Sequence, residues 1–214
     1  MPDIVIAGTG QPELLPIIDD FNNRCIDKGD CYNLLGFIDD NEANQDREVL
    51  GFKVLGPFDW IIEKKVSVIN AIARTCHIRL QSTQRLQSLN ATFINLVHPS
   101  VSLSYIAHIG TGNIISSGCV INPGVSIGSH NMLLTGVVLG HGVDVGSCSF
   151  FGHNVVCNGD VVVGDQAFLG SACQVLPEVN VSKYSKLAPG SVVMSNTLEG
   201  FQYVGNPARR LTIQ

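Results

Sequence analysis

Charge is sparse in this chain: Asp, Glu, Lys and Arg make up 14% of its 214 residues. A helical bundle clothes its outer faces with those residues and a disordered segment is rich in them, so neither class fits. No run of lysine and arginine accumulates and the formal charge is −5, which argues against a nucleic-acid polymer as partner. No apolar run approaches the roughly 20 residues of a membrane span, so no membrane partner is expected. Met1-Pro2-Asp3 passes at once into Ile4-Val5-Ile6 without a basic, signal-like start, and the expected location is cytoplasmic. Cysteine is present but without pattern: seven, at 25, 31, 76, 119, 148, 157 and 173, with no C-x-x-C pair. An odd number at irregular spacing suits small buried thiols better than a disulfide framework or a zinc site, and no metal is expected.

Glycine, by contrast, is plentiful at 22 residues, and much of it keeps time with a repeat. From Val97 an aliphatic residue recurs every six positions, through Leu103, Ile109, Ile115, Ile121, Ile127, Leu133, Leu139 and Val145, then Val163 to Val193. Only Phe151 and Cys157 break the aliphatic character of the series. A period of six belongs neither to a helix nor to an alternating strand. Four residues after each of these positions sits a small residue, such as Ala107, Val125, Val143 or Cys173, with Asn113 and Asn131 as bulkier exceptions. Glycine often follows directly, as at Gly128, Gly140 and Gly146. The pattern describes a prism: each hexad is one flat side, three sides close a coil of 18 residues, and the large aliphatic points inward. Stacked coils pair as parallel strands about 4.8 Å apart, and no coil can bury its apolar row alone. A sandwich would show turns every 8–12 residues instead. The phase is lost from Thr197 to Gln214, a segment expected to cap the prism.

The first half reads differently. Ile4 to Ile6 is a buried strand ending in the turn Gly8-Thr9-Gly10; a helix is expected over Glu13–Lys28, a strand over Tyr32–Ile38, a third over Val66–Ile72, a helix over Ile78–Leu89 and a last strand over Thr92–Val97. Strands alternating with helices predict a small parallel, Rossmann-like α/β sheet over residues 1–97, followed by the β-helix over 98–214. The turn is only a fragment of G-x-G-x-x-G, since Glu13 takes the third place, so NAD is a poor candidate. Ligands on such sheets bind at the carboxyl ends of the strands, where Gly8–Pro12 and the pair Asp39-Asp40 fall. Those carboxylates suit ribose hydroxyls or a base N–H; turn glycines and a helix-flanking acidic pair are the plainer alternative.

Several segments together resemble the sialic-acid O-acetyltransferase and nucleotide-sugar N-acetyltransferase family, a branch of the hexapeptide-repeat acyltransferases. They are the first glycine turn, Gly36-Phe37-Ile38-Asp39-Asp40, Val49 to Gly56, Leu96 to Ser100, Ile121-Asn122-Pro123-Gly124, Thr135-Gly136 leading to His141, and Asn206-Pro207-Ala208-Arg209. The likeness spans nearly the whole chain. It implies a left-handed parallel β-helix, acetyl-CoA as co-substrate and a homotrimer with the co-substrate between neighbouring prisms. The acceptor it implies is a nucleotide sugar, most similar to a UDP-linked sugar acetylated on its 4-amino group for surface glycans. The resemblance puts the catalytic histidine on His141 and the backbone N–H that meets the thioester carbonyl on Gly159. Acceptor positions fall on Gly10, Gln11, Pro12, Asp39, Asp40 and Ala73, and positions along the co-substrate groove on Gly159, Phe150, Ser171 and Pro189. The chain departs from the family at three places. Gly10, Gln11 and Pro12 replace a small residue, Gly and His; Gly142 replaces the carboxylate beside the catalytic histidine; Phe150 replaces a second histidine that meets the co-substrate.

Acetyl transfer to an amine needs a proton acceptor, a donor for the oxyanion and a means of holding both reactants. A neutral imidazole suits the first near neutral pH, a fixed backbone N–H the second and a groove the third. His141 and Gly159 are one coil apart, which predicts them side by side at one corner, and Asp160 should lie over Gly142 as a partial substitute for the missing carboxylate. Of the other histidines, His77 is expected on a helix surface, His98 in a turn, His108 and His130 solvated at hexad ends, and His153 on a different side from His141. O-acetylation of a free sugar such as sialic acid, or a non-enzymatic binding or scaffold role for the prism, remain the competing readings.

Overall fold

The computed structural model describes residues 1–25 and 31–211, and the chain divides into two compact units, Met1–Pro99 and Ser100–Gln214. In the first unit β1 (Asp3–Ala7) is followed by a 3-10 turn at Pro12–Leu14, α1 (Leu15–Cys25), β2 (Asn33–Ile38), the short antiparallel pair β3 (Glu48–Val49) and β4 (Phe52–Lys53), β5 (Ser67–Asn70), α2 (Cys76–Ser88), β6 (Thr92–Phe93) and β7 (Leu96–Val97). Four strands form one parallel sheet in the order β2-β1-β5-β6. Ile4, Val5 and Ile6 are each 0% exposed, because a parallel strand with connections over both faces is buried on both. Val5, Ala7, Ile38, Phe58, Ile61, Val68 and Leu86 pack as its core.

The helices start where local chemistry allows. Pro12 opens the first turn, since its missing N–H is not needed there, so α1 proper begins at Leu15 rather than Glu13; residues 26–28 of the expected helix lie outside the described residues. Thr75 caps α2, its Oγ1 accepting the Ile78 N–H at 3.1 Å, which moves that helix start upstream of Ile78. The expected strand over Thr92–Val97 splits into β6 and β7. Four paired strands make a short parallel α/β sheet, smaller than a full doubly wound fold.

The second unit is a left-handed parallel β-helix. Its strands are two residues long and pair 18 residues apart, as Ser126 with Asp144 and Ile127 with Val145. One face stacks the pairs His108–Ile109, Ser126–Ile127, Asp144–Val145, Val162–Val163 and Asn180–Val181. A second runs from Ile114–Ile115 through Met132–Leu133, Phe150–Phe151 and Phe168–Leu169 to Lys186–Leu187. A third holds Val120–Ile121, Val138–Leu139, Val156–Cys157, Gln174–Val175 and Val192–Val193. The inward apolar residues Ile127, Leu133, Leu139, Phe151 and Leu169, and the small Val125, Val137, Val143 and Cys173, are all 0% exposed. The hexad at Leu103 forms no strand, and the next strand after β7 is His108–Ile109. At the far end Lys186 pairs with Gln202, two residues short of a full coil, and Gln202–Val204 turns back into an antiparallel pair with Arg209–Arg210. That shortfall is why the sequence phase disappears after Val193. Residues 212–214 of the expected cap lie outside the described residues.

Asn113 and Asn131 break the small-residue rule for a reason. Both are 0% exposed. The Asn113 amide donates to the Gly128 carbonyl and accepts the Asn131 N–H; the Asn131 amide donates to Gly146 and accepts the Ser149 N–H, each at 2.8 Å. They form a polar seam that stitches coil to coil inside the corner.

Candidate active site

The corner between the third and first faces carries His141 and, one coil on, Gly159. The imidazole lies flat against that glycine: a Cβ on Gly159 would stand 2.5 Å from both Cε1 and Nε2 of His141. No side chain larger than hydrogen leaves room for the ring in this pose. The backbone N–H of Gly159 donates to nothing among the described residues, while its carbonyl accepts the Glu178 N–H at 3.0 Å. The glycine under this exposed imidazole therefore carries an uncommitted donor. On the ring's other side, Nδ1 is 3.8 Å from Asp160 Oδ2, with the two side chains 73% and 60% exposed. Asp160 lies over Gly142, as the coil spacing predicted: a Cβ on Gly142 would collide with Asp160 Oδ1.

The other expected groove residues stand elsewhere on the prism. Ser171 and Pro189 are stacked at the corner between the second and third faces; Gly152 abuts the Ser171 backbone and Gly170 abuts Pro189. His153 belongs to that corner too, and is exposed. Phe150 is on the second face, its ring stacked on Phe168 with centroids 5.1 Å apart and planes 5° from parallel. A single chain thus brings His141 and Gly159 together and holds Ser171 and Pro189 at a separate corner.

In the first unit the turns after β1 and β2 are tied to each other. Asp39 accepts from Thr9 through its N–H at 3.3 Å and its hydroxyl at 3.1 Å, from the Asn41 N–H at 2.9 Å and from Asn44 Nδ2 at 2.8 Å. At 9% exposure and with four internal donors, this carboxylate braces the two turns and has little capacity left for a ligand. Asp40 is exposed; one oxygen accepts the Phe58 N–H at 2.7 Å and the other is 3.9 Å from Arg85. Gly10 has open space around it and Gln11 is half-buried. Behind β5, Asn70 braces the segment leading to Ala73: its oxygen accepts the Ile72 N–H at 3.1 Å, while the guanidinium of the fully buried Arg79 donates to the Asn70 and Ile72 carbonyls. Gly8–Pro12, Asp39-Asp40 and Ala73 all follow the carboxyl ends of parallel strands, so they share one edge of the sheet. A cleft of about 380 Å³ lined by Lys64, Lys65, Ser67 and Asn90 opens at the opposite, amino-terminal edge, away from where ligands meet such sheets.

No family model and no curated protein matches this chain. Solved structures do. PerB from Caulobacter crescentus, in complex with CoA and GDP-perosamine, superposes with a TM-score of 0.85 at 24% identity, covering 99% of this chain and 98% of that one. The acetyltransferase domain of PglB from Neisseria gonorrhoeae gives 0.83 at 18% identity over 99% and 100% of the two chains. WeeI from Acinetobacter baumannii gives 0.74 at 18% identity, again over 99% and 100%. Identity this low establishes a shared fold, and it extends over both units.

The remaining reactive side chains are placed out of reach. The six described cysteines are all buried. Burial pushes the Cys157 thiol up to about 12, with Cys173 adding to it, and burial likewise raises Cys119 and Cys173, so these groups stay protonated at neutral pH. Among the described residues no three His, Cys, Asp or Glu side chains cluster as a metal site would require, and no helix is long and apolar enough to cross a membrane. His77 and His108 are exposed, but His130 is 5% exposed, a correction to its expected solvation: its ring fills the hollow over Gly112 one coil earlier. His98 is 8% exposed, with Nε2 2.9 Å from Asp20. The period of six gives a residue's place along a coil but not how its ring folds back on the neighbouring coil.

Proposed function

We propose that this chain is an acetyl-CoA-dependent N-acetyltransferase acting on the amino group of a nucleotide-linked amino-deoxysugar. The observation that carries the reading is the corner where the His141 imidazole rests on Gly159, a residue whose backbone N–H is uncommitted. Nε2 of His141 takes a proton from the attacking amine. As the amine nitrogen bonds to the thioester carbon, negative charge collects on the carbonyl oxygen, and the Gly159 N–H donates to it. Collapse breaks the C–S bond, and the departing CoA sulfur takes up a proton, so that amide and free thiol are the products. The nucleotide is held at the strand carboxyl edge by the Gly10, Gln11 and Pro12 turn, Asp40 and Ala73, with Asp39 keeping that edge in shape. Phe150, Ser171 and Pro189 line the path of CoA on a neighbouring copy's prism, which makes a homotrimer the working form. The CoA and GDP-perosamine complexes of PerB support both substrates, and an acetyl-CoA supply is met in the cytoplasm.

The nucleotide is the open element of specificity. A thiol-release assay with acetyl-CoA and matched GDP- and UDP-amino-sugars is expected to show turnover with a nucleotide-linked amine and none with free sialic acid. His141→Ala should lower kcat by at least about 100-fold with little change in acetyl-CoA binding. Near-normal turnover by that variant would defeat the reading.

A further inference from the structure

We propose that Asp160 is a positioning residue for His141, its carboxylate serving the imidazole from the next coil of the prism. The inference rests on the reading of His141 as the base. Asp160 Oδ2 is 3.8 Å from Nδ1, and no other carboxylate among the described residues forms an ion pair with this ring. The contact is set by the main chain, since the Asp160 N–H donates to the His141 carbonyl at 2.9 Å. Space for the carboxylate exists because Gly142, the residue next to His141 in the chain, has no side chain: a Cβ there would run into Asp160 Oδ1. The residue one coil further on thus occupies the volume that a side chain at 142 would need.

The two ring nitrogens are thereby given different surroundings. Nδ1 is the nitrogen beside the carboxylate, while Gly159, whose N–H is uncommitted, lies against the ring at Cε1 and Nε2. A negative charge beside Nδ1 favours the tautomer with its proton there and leaves Nε2 bare to accept one; it also stabilises the imidazolium once formed. At this separation the pair acts through charge or through one bridging water. Two further carboxylates lie near in the fold. Glu178 follows Asp160 by one coil and Asp144 starts the strand after His141, and both are exposed.

The test needs no substrate, which separates it from the acetyl-transfer reading. In the full chain with labelled histidine, NMR of Asp160→Asn should move the tautomer of the neutral His141 ring toward Nε2–H. Asp160→Glu should recover part of the change, and Glu178→Gln and Asp144→Asn should move the tautomer less than half as far. Transplanting the carboxylate, Gly142→Asp together with Asp160→Gly, should restore the tautomer. Gly142→Asp alone should not add to it, since the two side chains compete for one space. With substrates, Asp160→Asn should reduce kcat about 3- to 10-fold at unchanged KM. An unmoved His141 tautomer in Asp160→Asn overturns the inference even if activity falls. A moved tautomer alongside a fully active His141→Ala would keep the Asp160 contact and defeat the function instead.

Discussion

Gly159 has no side chain, and His141 uses the room. Substituting Gly159→Ala keeps the backbone N–H but puts a methyl where the ring stands, 2.5 Å from two of its atoms. The imidazole must then swing off the corner by more than an ångström, a displacement that typically costs about 100-fold in rate. Since the ring is exposed, it can move without unfolding anything. The expected result is a fall in kcat of roughly that size, with acetyl-CoA affinity by calorimetry and the thermal midpoint nearly unchanged. Loss of stability in place of loss of rate would show the glycine to be a fold requirement only. In the sequence this pairing was visible as a spacing of one coil. That the ring would lie against the glycine, and that Asp39 would spend its oxygens on Thr9, Asn41 and Asn44, was not, because a period fixes position along the chain and leaves rotamers and loop closure open.

Among the elements, the coils were the most legible and their seams the least. One aliphatic residue every six positions is a demand of the prism's interior, so its count and phase survive in the sequence. Asn113 and Asn131 looked like exceptions because size was the only property the pattern tracked. Their amides satisfy backbone groups of the neighbouring coil that would otherwise be buried unpaired. Asn131→Leu keeps the volume but strands the Ser149 N–H and the Gly146 carbonyl from these bonds, at a cost of about 3 kcal/mol or more. Circular dichroism should register a thermal midpoint lower by about 6 °C or more, against little change for Asn122→Leu at the half-buried rim. The helix starts were misplaced by two residues each because Pro12 and Thr75, not the apolar pattern, decide them.

For the whole molecule, the separation of the expected groove residues sets the question. His141 and Gly159 are on one corner and Ser171 and Pro189 on another, and in the homotrimer we propose a second copy would supply the complement to each. Along the third face Val120, Val138, Val156 and Val192 point outward with the exposed Gln174 among them, Val120 being 49% exposed. Sedimentation velocity should give a species of three times the 22.9 kDa chain mass at micromolar concentration, with axes related by a closed three-fold; a stable monomer in the presence of CoA would refute it. The 18-residue pairing also makes the prism a screw with a fixed pitch. Homologous chains can gain or lose a complete turn of thread and keep every corner aligned with those above and below. A gap of a single hexad would rotate all that follows by a third of a revolution, sending Gly159 to a different edge from His141. Length variation compatible with this chemistry is therefore quantised, and the size of a gap in a related sequence forecasts whether the reaction survives it.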